Sequence, residues 1–163
     1  MTAQWSARRY TPNPFGIRIF QARRAAAEAG LAERISYQVL DAAAGLPESF
    51  DVIATFDVVH DAVDPLGLLR SIRDALRSGG RYLCLEINCS DQPADNTGPI
   101  SALLYGFSIL YCMTTSLAEG GEGLGTLGLP EPVLRQLAAK AGFTHVRHVA
   151  MDNPFNSLYE LER

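Results

Sequence analysis

The chain is poor in cysteine: there are three, Cys84, Cys89 and Cys112, in 163 residues, and no C-x-x-C pair. An odd set argues against a disulfide framework, and a reducing, cytoplasmic setting is the simpler reading. Excess basic charge is also missing. Lys and Arg number 14 against 18 Asp and Glu, a net charge of -4, and the one basic cluster, Arg18, Arg23 and Arg24, falls on an expected helix. Nucleic-acid binding needs a concentrated basic surface, so no nucleic-acid partner is expected. The start of the chain lacks the basic, apolar and small-residue order of a secretory signal. Internal repeats are absent. Between Thr97 and Ala118 no residue is charged, a length that reaches across a bilayer. Ser101, Gly106, Ser108, Thr114, Thr115 and Ser116 interrupt that run, so the expectation is a buried or pocket-lining helix and no membrane partner.

What remains is ordinary globular composition, 47% hydrophobic and 20% charged, enough chain for a single domain with its own core. Residues 1–16 carry two prolines and no periodicity and read as an irregular lead-in, with one domain over 17–163. From Ile17 strong helix formers run to a stop at Gly30. "ISYQVL" (35–40) and "FDVIATF" (50–56) are β-prone runs closed by Asp41 and Asp57. Asp64-Pro65 is a helix start, and Leu68, Leu69, Ile72 and Leu76 follow at helical spacing as far as Gly79 and Gly80. "RYLCLEI" (81–87) is a further strand. Pro132 opens a helix that Gly142 stops, and "FTHVRHVAM" and "SLYELE" close the chain as a hairpin. Strands alternating with helices predict an α/β fold on a mostly parallel sheet with helices on both faces and an antiparallel hairpin at one edge.

"GGEGLGTLG" (120–128) places Gly123, Gly125 and Gly128 at G-x-G-x-x-G spacing. A dinucleotide loop must follow a strand and open a helix. This stretch follows the uncharged helix instead, so it reads as a helix-ending connection, and a nicotinamide-dinucleotide function resting on it alone is disfavoured. His145 and His148 stand three apart on an expected strand, hence on opposite faces, and form no metal pair.

"YQVLDAA", then "FDVIATFDVVHDAVDPLGLLRSIRDALRSGGRYLCLE", then a helix with "AGF" and a final hairpin resemble the later part of a class I S-adenosylmethionine-dependent methyltransferase. The resemblance spans about residues 17–163, and "CMTTSLAEGGEGLGTLG" resembles a bacterial subgroup in which a winged-helix domain precedes the methyltransferase domain. It implies a Rossmann-like sheet, S-adenosylmethionine as cofactor and methyl transfer to a small-molecule acceptor. By the same match Asp41 and Ala42 would contact the adenine, and Phe56 and Asp57 would line the cofactor toward its methionine part. His60, near that rim and titrating near neutrality, is the candidate general base, with a structural hydrogen-bonding role as its rival. Tyr105, Tyr111 and Met113 on the uncharged helix are candidates for an apolar or aromatic acceptor pocket, with core packing as the alternative.

The family's glycine-rich cofactor turn should precede residue 17, yet "MTAQWSARRYTPNPFG" contains nothing like it, and no acid occurs before Glu28. The expectation is therefore a methyltransferase domain truncated at its N-terminus, with the family's first two strands absent and cofactor binding weakened or lost. In the family's strand order, three-two-one-four-five-seven-six, that gap exposes a sheet edge, which predicts self-association. A non-catalytic remnant acting as an interaction module is the competing function.

Overall fold

The computed structural model describes residues 3–5, 14–124 and 127–163, and the chain divides into two compact units, Met1–Ala44 and Gly45–Arg163. In the first, strand β1 (Ala3–Trp5) pairs parallel with β2 (Ile35–Tyr37). Between them runs helix α1 (Pro14–Glu28). A strand and the first turn of a helix thus occupy part of the stretch read as an irregular lead-in, and β2 stops three residues short of the expected run. Tyr37 donates its hydroxyl to the Ala22 carbonyl at 3.0 Å and ties β2 to α1. Gly30, at φ 69°, ends the helical region as its missing Cβ allows.

The second unit is a four-stranded sheet in the order β3-β4-β6-β5, formed by Phe50–Phe56, Leu76–Ile87, His145–Val149 as β5 and Asn156–Glu162 as β6. β3 and β4 are parallel, whereas β6 is antiparallel to both β4 and β5. This matches the four-five-seven-six half of the expected sheet, with the hairpin at its edge.

Helix α2 (Pro65–Ala75) begins at the expected Asp64, whose Oδ1 accepts the Gly67 N–H at 2.7 Å. It ends one turn earlier than its apolar spacing suggests. Leu76 already pairs with Phe50, and the register slips before Val52 meets Arg81. The slip is accommodated by Gly79 at φ 75° and by Gly80, where a Cβ would lie 3.1 Å from the Asp51 carbonyl oxygen. Helix α5 (Glu131–Ala141) ends at Gly142, left-handed at φ 92°. Leu68, Leu69 and Ile72 of α2 and Leu134 and Ala138 of α5 are buried together with Tyr82, Cys84 and Leu161 of the sheet. Tyr82 and Phe143 stack with ring centroids 5.9 Å apart. Each fully buried leucine or isoleucine here contributes about 2 kcal/mol of transfer free energy, so this layer carries the unit.

The uncharged region forms α3 (Pro99–Phe107), a π-helical turn (Ser108–Cys112) and α4 (Met113–Ala118). Together they are long and apolar enough to cross a membrane by length and composition, with mean hydropathy 1.5, and 11% of that window is buried. The expectation of a buried or pocket-lining helix is therefore corrected as to burial, while Tyr105 of α3 does line a cavity. Leu103, Phe107, Ile109, Leu110 and Leu117 are exposed. Of the glycine triplet, Gly125 lies outside the described residues. Gly120 and Gly123 have positive φ in the connection after α4, in keeping with a helix-ending role.

Candidate functional site

The site grows from a change of character along β4. Residues 80, 82, 84 and 86 face the buried side of the sheet, and across from them on β6 Tyr82 meets Leu161, Cys84 meets Tyr159 and Glu86 meets Ser157. The column is apolar until its last rung, where a fully buried carboxylate appears. A buried carboxylate demands partners. Glu86 has two: Oε1 accepts the Val59 N–H at 2.8 Å, and Oε2 lies 2.6 Å from His60 Nδ1.

Both partners come from the turn that leaves β3. Asp57 adopts φ 51°, the one non-glycine with positive φ among the described residues, a conformation that aspartate tolerates better than most side chains. Its N–H still bonds the Leu85 carbonyl at 2.9 Å, while its Oδ1 accepts from Asn156 Nδ2 at 2.9 Å. The reversal carries Val59 and His60 inward over the end of β4, and both are buried. On the other side of the ring, His60 Nε2 lies 3.2 Å from Asp61 Oδ1. α4 closes over the loop, because the buried Ser116 donates its hydroxyl to the Ala62 carbonyl at 3.3 Å.

Burial pushes the His60 imidazole down, but the Glu86 hydrogen bond and charge, with Asp61 and Asp57 behind them, outweigh it and raise its pKa above the ordinary 6.5. Burial raises Asp57 above the usual aspartate value, against the lowering effects of His60 and Asn156. Cys112, at the end of the π-helical turn, is raised to about 12 by burial and by its hydrogen bond to Asp61. The result is a proton-holding group: an imidazole of raised basicity, fixed at Nδ1 by one carboxylate and facing a second at Nε2.

Of the residues singled out in the sequence, Asp57 and His60 meet in this loop, and Phe56, 56% exposed, sits at its start. Asp41 and Ala42 belong to the N-terminal unit, where Asp41 Oδ1 accepts the Ala43 N–H at 3.0 Å and opens a short 3-10 turn. Tyr105 lines a cavity of about 180 Å³ with Cys89, Asn96, Leu127 and Leu129. Tyr111 is exposed, and Met113 packs beside Gly123. Glu86, Asp61 and Cys112 had not been singled out. A signal for Glu86 exists in the sequence: within "RYLCLEI" it keeps the phase of Tyr82 and Cys84, so an acid is placed where the alternation demands a core residue.

Comparison with known proteins gives a consistent picture. The family model described as "Methyltransferase domain" matches residues 3–84. A ubiquinone biosynthesis O-methyltransferase of Ruegeria pomeroyi is 37% identical over 67 residues, 41% of this chain and 27% of that protein. The corresponding enzyme of Cereibacter sphaeroides is 35% identical over 63 residues, 39% of this chain and 26% of its own length. Among solved structures, the S-adenosylmethionine-dependent methyltransferase SibL in its apo form superposes with a TM-score of 0.65 at 25% identity, covering 99% of this chain and 42% of that one. PigF with SAH gives 0.64 at 25% identity, over 88% of this chain and 40% of that one. The chain thus spans about a quarter of the length of these curated relatives and two fifths of the solved ones.

Proposed function

The chain belongs to the methyltransferase-domain family, and from that premise we propose that it forms the C-terminal part of a catalytic domain that methylates a hydroxyl of a small, apolar or aromatic acceptor, with His60 as general base. The observation that carries this reading is the His60 Nδ1 to Glu86 Oε2 contact of 2.6 Å between two buried groups. Support for oxygen as the nucleophile comes from the O-methyltransferase relatives.

Bound S-adenosylmethionine supplies an electrophilic methyl group on a sulfonium sulfur. Phe56 and Asp57 fit one side of such a group: an exposed aromatic ring and a carboxylate at the C-terminal end of a parallel strand, where open α/β sheets bind ligands. Asp41 and Ala42 are the proposed adenine contacts, and Asp41 uses one carboxylate oxygen on Ala43, leaving its other oxygen for a ligand amine. Glu86 fixes the ring so that Nε2 is the nitrogen that works. When a hydroxyl replaces Asp61 at Nε2, the imidazole accepts its proton as the oxygen gains its methyl group, and Glu86 stabilises the imidazolium. Tyr105, Tyr111 and Met113 are the proposed acceptor contacts.

The outer edge of β3 pairs with no strand among the described residues, and Val52 on it is 48% exposed. We infer that this edge drives self-association of the 163-residue chain. The decisive experiment measures formation of S-adenosylhomocysteine from S-adenosylmethionine with a set of simple phenols and catechols. His60→Gln should lower the rate at least about 100-fold, and a variant as active as the parent would reject His60 as base. Calorimetric titration showing micromolar binding of S-adenosylmethionine to the 163-residue chain would reject the alternative of a non-catalytic remnant.

A further inference from the structure

We propose that His60 Nε2, the Asp61 carboxylate and Cys112 Sγ form a binding site for a thiophilic divalent cation of the zinc class, distinct from the chemistry of methyl transfer. One nitrogen, one carboxylate oxygen and one sulfur lie within 4.8 Å of one another, and the His60–Asp61 pair is already at 3.2 Å. Tetrahedral zinc holds its ligand atoms roughly 3–4 Å apart, so the donors need only a small contraction, and a fourth position stays open for water. Thiol and imidazole together favour zinc over magnesium or calcium.

Two further features point the same way. Histidine ligands of metals ordinarily give their other ring N–H to a carboxylate, which fixes the tautomer and strengthens the coordinating nitrogen. Glu86 does this at Nδ1, 2.6 Å away and outside the donor set. The thiol is presented from the last residue of the π-helical turn Ser108–Cys112, and such turns occur disproportionately at functional sites. His60 is buried while Asp61 and Cys112 are partly open to solvent, which gives an ion a route in. On binding, Sγ gives up its thiol proton and Nε2 any proton it carries to solvent, while Nδ1 keeps its proton toward Glu86. No electron transfer is involved.

The site shares His60 with the proposed reaction, and its consequence rests on that reading: an ion on Nε2 occupies the atom assigned to the acceptor proton, so it would inhibit transfer. The test uses cobalt as a spectroscopic stand-in for zinc on the full chain. Titration should give a thiolate-to-cobalt charge-transfer band that one equivalent of zinc abolishes, retained in Cys89→Ser and lost in Cys112→Ser. Asp61→Asn should weaken zinc binding at least about tenfold, measured by competition with a chromophoric chelator. Absence of the band in the parent chain, or its survival in Cys112→Ser, overturns the site. Tight zinc binding with unchanged methyl transfer would instead uphold the site and reject His60 as the base.

Discussion

Glu86 Oε2 and His60 Nδ1 lie 2.6 Å apart with both side chains withdrawn from water. The second Glu86 oxygen holds the Val59 N–H, so one carboxylate sets the backbone of the loop and the orientation of its imidazole. Removing it strands a donor and a ring in a buried place, which costs more than the bond itself contributes.

Glu86→Ala should therefore destabilise the fold by about 3 kcal/mol or more, read as a lower urea midpoint. Glu86→Gln keeps an acceptor for Val59 and should cost clearly less. A Glu86→Ala midpoint equal to the parent's would show that the carboxylate does not hold the loop.

The raised His60 pKa has a definite sign. The folded state binds the proton more tightly than the unfolded chain, so this group's stabilisation is fully present below 6.5 and is lost as pH rises through the folded value. Stability measured across that window should fall with pH in the parent and fall less in His60→Gln. Methyl transfer should show the opposite trend, rising as the imidazole deprotonates, and Glu86→Gln should move that rise to lower pH.

Asp57 combines φ 51° with a carboxyl whose pKa is raised chiefly by burial. By the same linkage its contribution is present below 3.8 and lost as pH rises through the folded value, so its ionised form carries a small penalty at neutral pH, reduced by solvent screening of this exposed residue. Asp57→Asn tolerates the left-handed backbone and removes that penalty, so its melting temperature at pH 7 should match or exceed the parent's. Asp57→Ala should lose about 1 kcal/mol or more.

At the start of α2, Asp64→Ala should cost about 1 kcal/mol as the cap to the Gly67 N–H is lost. Gly67→Ala would drive its methyl into the Asp64 carboxylate. Thermal melts of the two single variants and the double should therefore be non-additive, with the double less destabilised than the sum.

The free β3 edge is tested by sedimentation velocity across a range of concentrations. Val52→Lys places a charge on the exposed edge and should suppress association of the 163-residue chain. Association unchanged by that charge would place the contact elsewhere.

Much of the second unit was legible in the sequence because its signals are local. A proline after an aspartate starts α2, a glycine beyond the last apolar turn ends α5, and alternation marks β4 and β6. Where α2 ends was not legible: helical spacing continues through Leu76, and only its pairing with Phe50, across a slip that Gly79 and Gly80 absorb, assigns that residue to β4. The exposure of the uncharged helix was likewise misjudged, because hydropathy records what a segment could bury and not whether the described unit covers it.

By itself the sequence determined the strand and helix order of the second unit, its caps, and Asp57 and His60 as residues at the rim of the sheet, since each follows from a residue and its near neighbours; β1, in a stretch without periodicity, it missed. Only the tertiary structure decided what His60 is. Glu86 lies 26 positions away and Cys112 is farther still along the chain. The strand pairing of β3 with β4 brings Glu86 onto the imidazole, where with Asp61 and Asp57 it sets the ring's basicity, and the helical segment over the loop brings Cys112 beside them. No spacing along the chain encodes it.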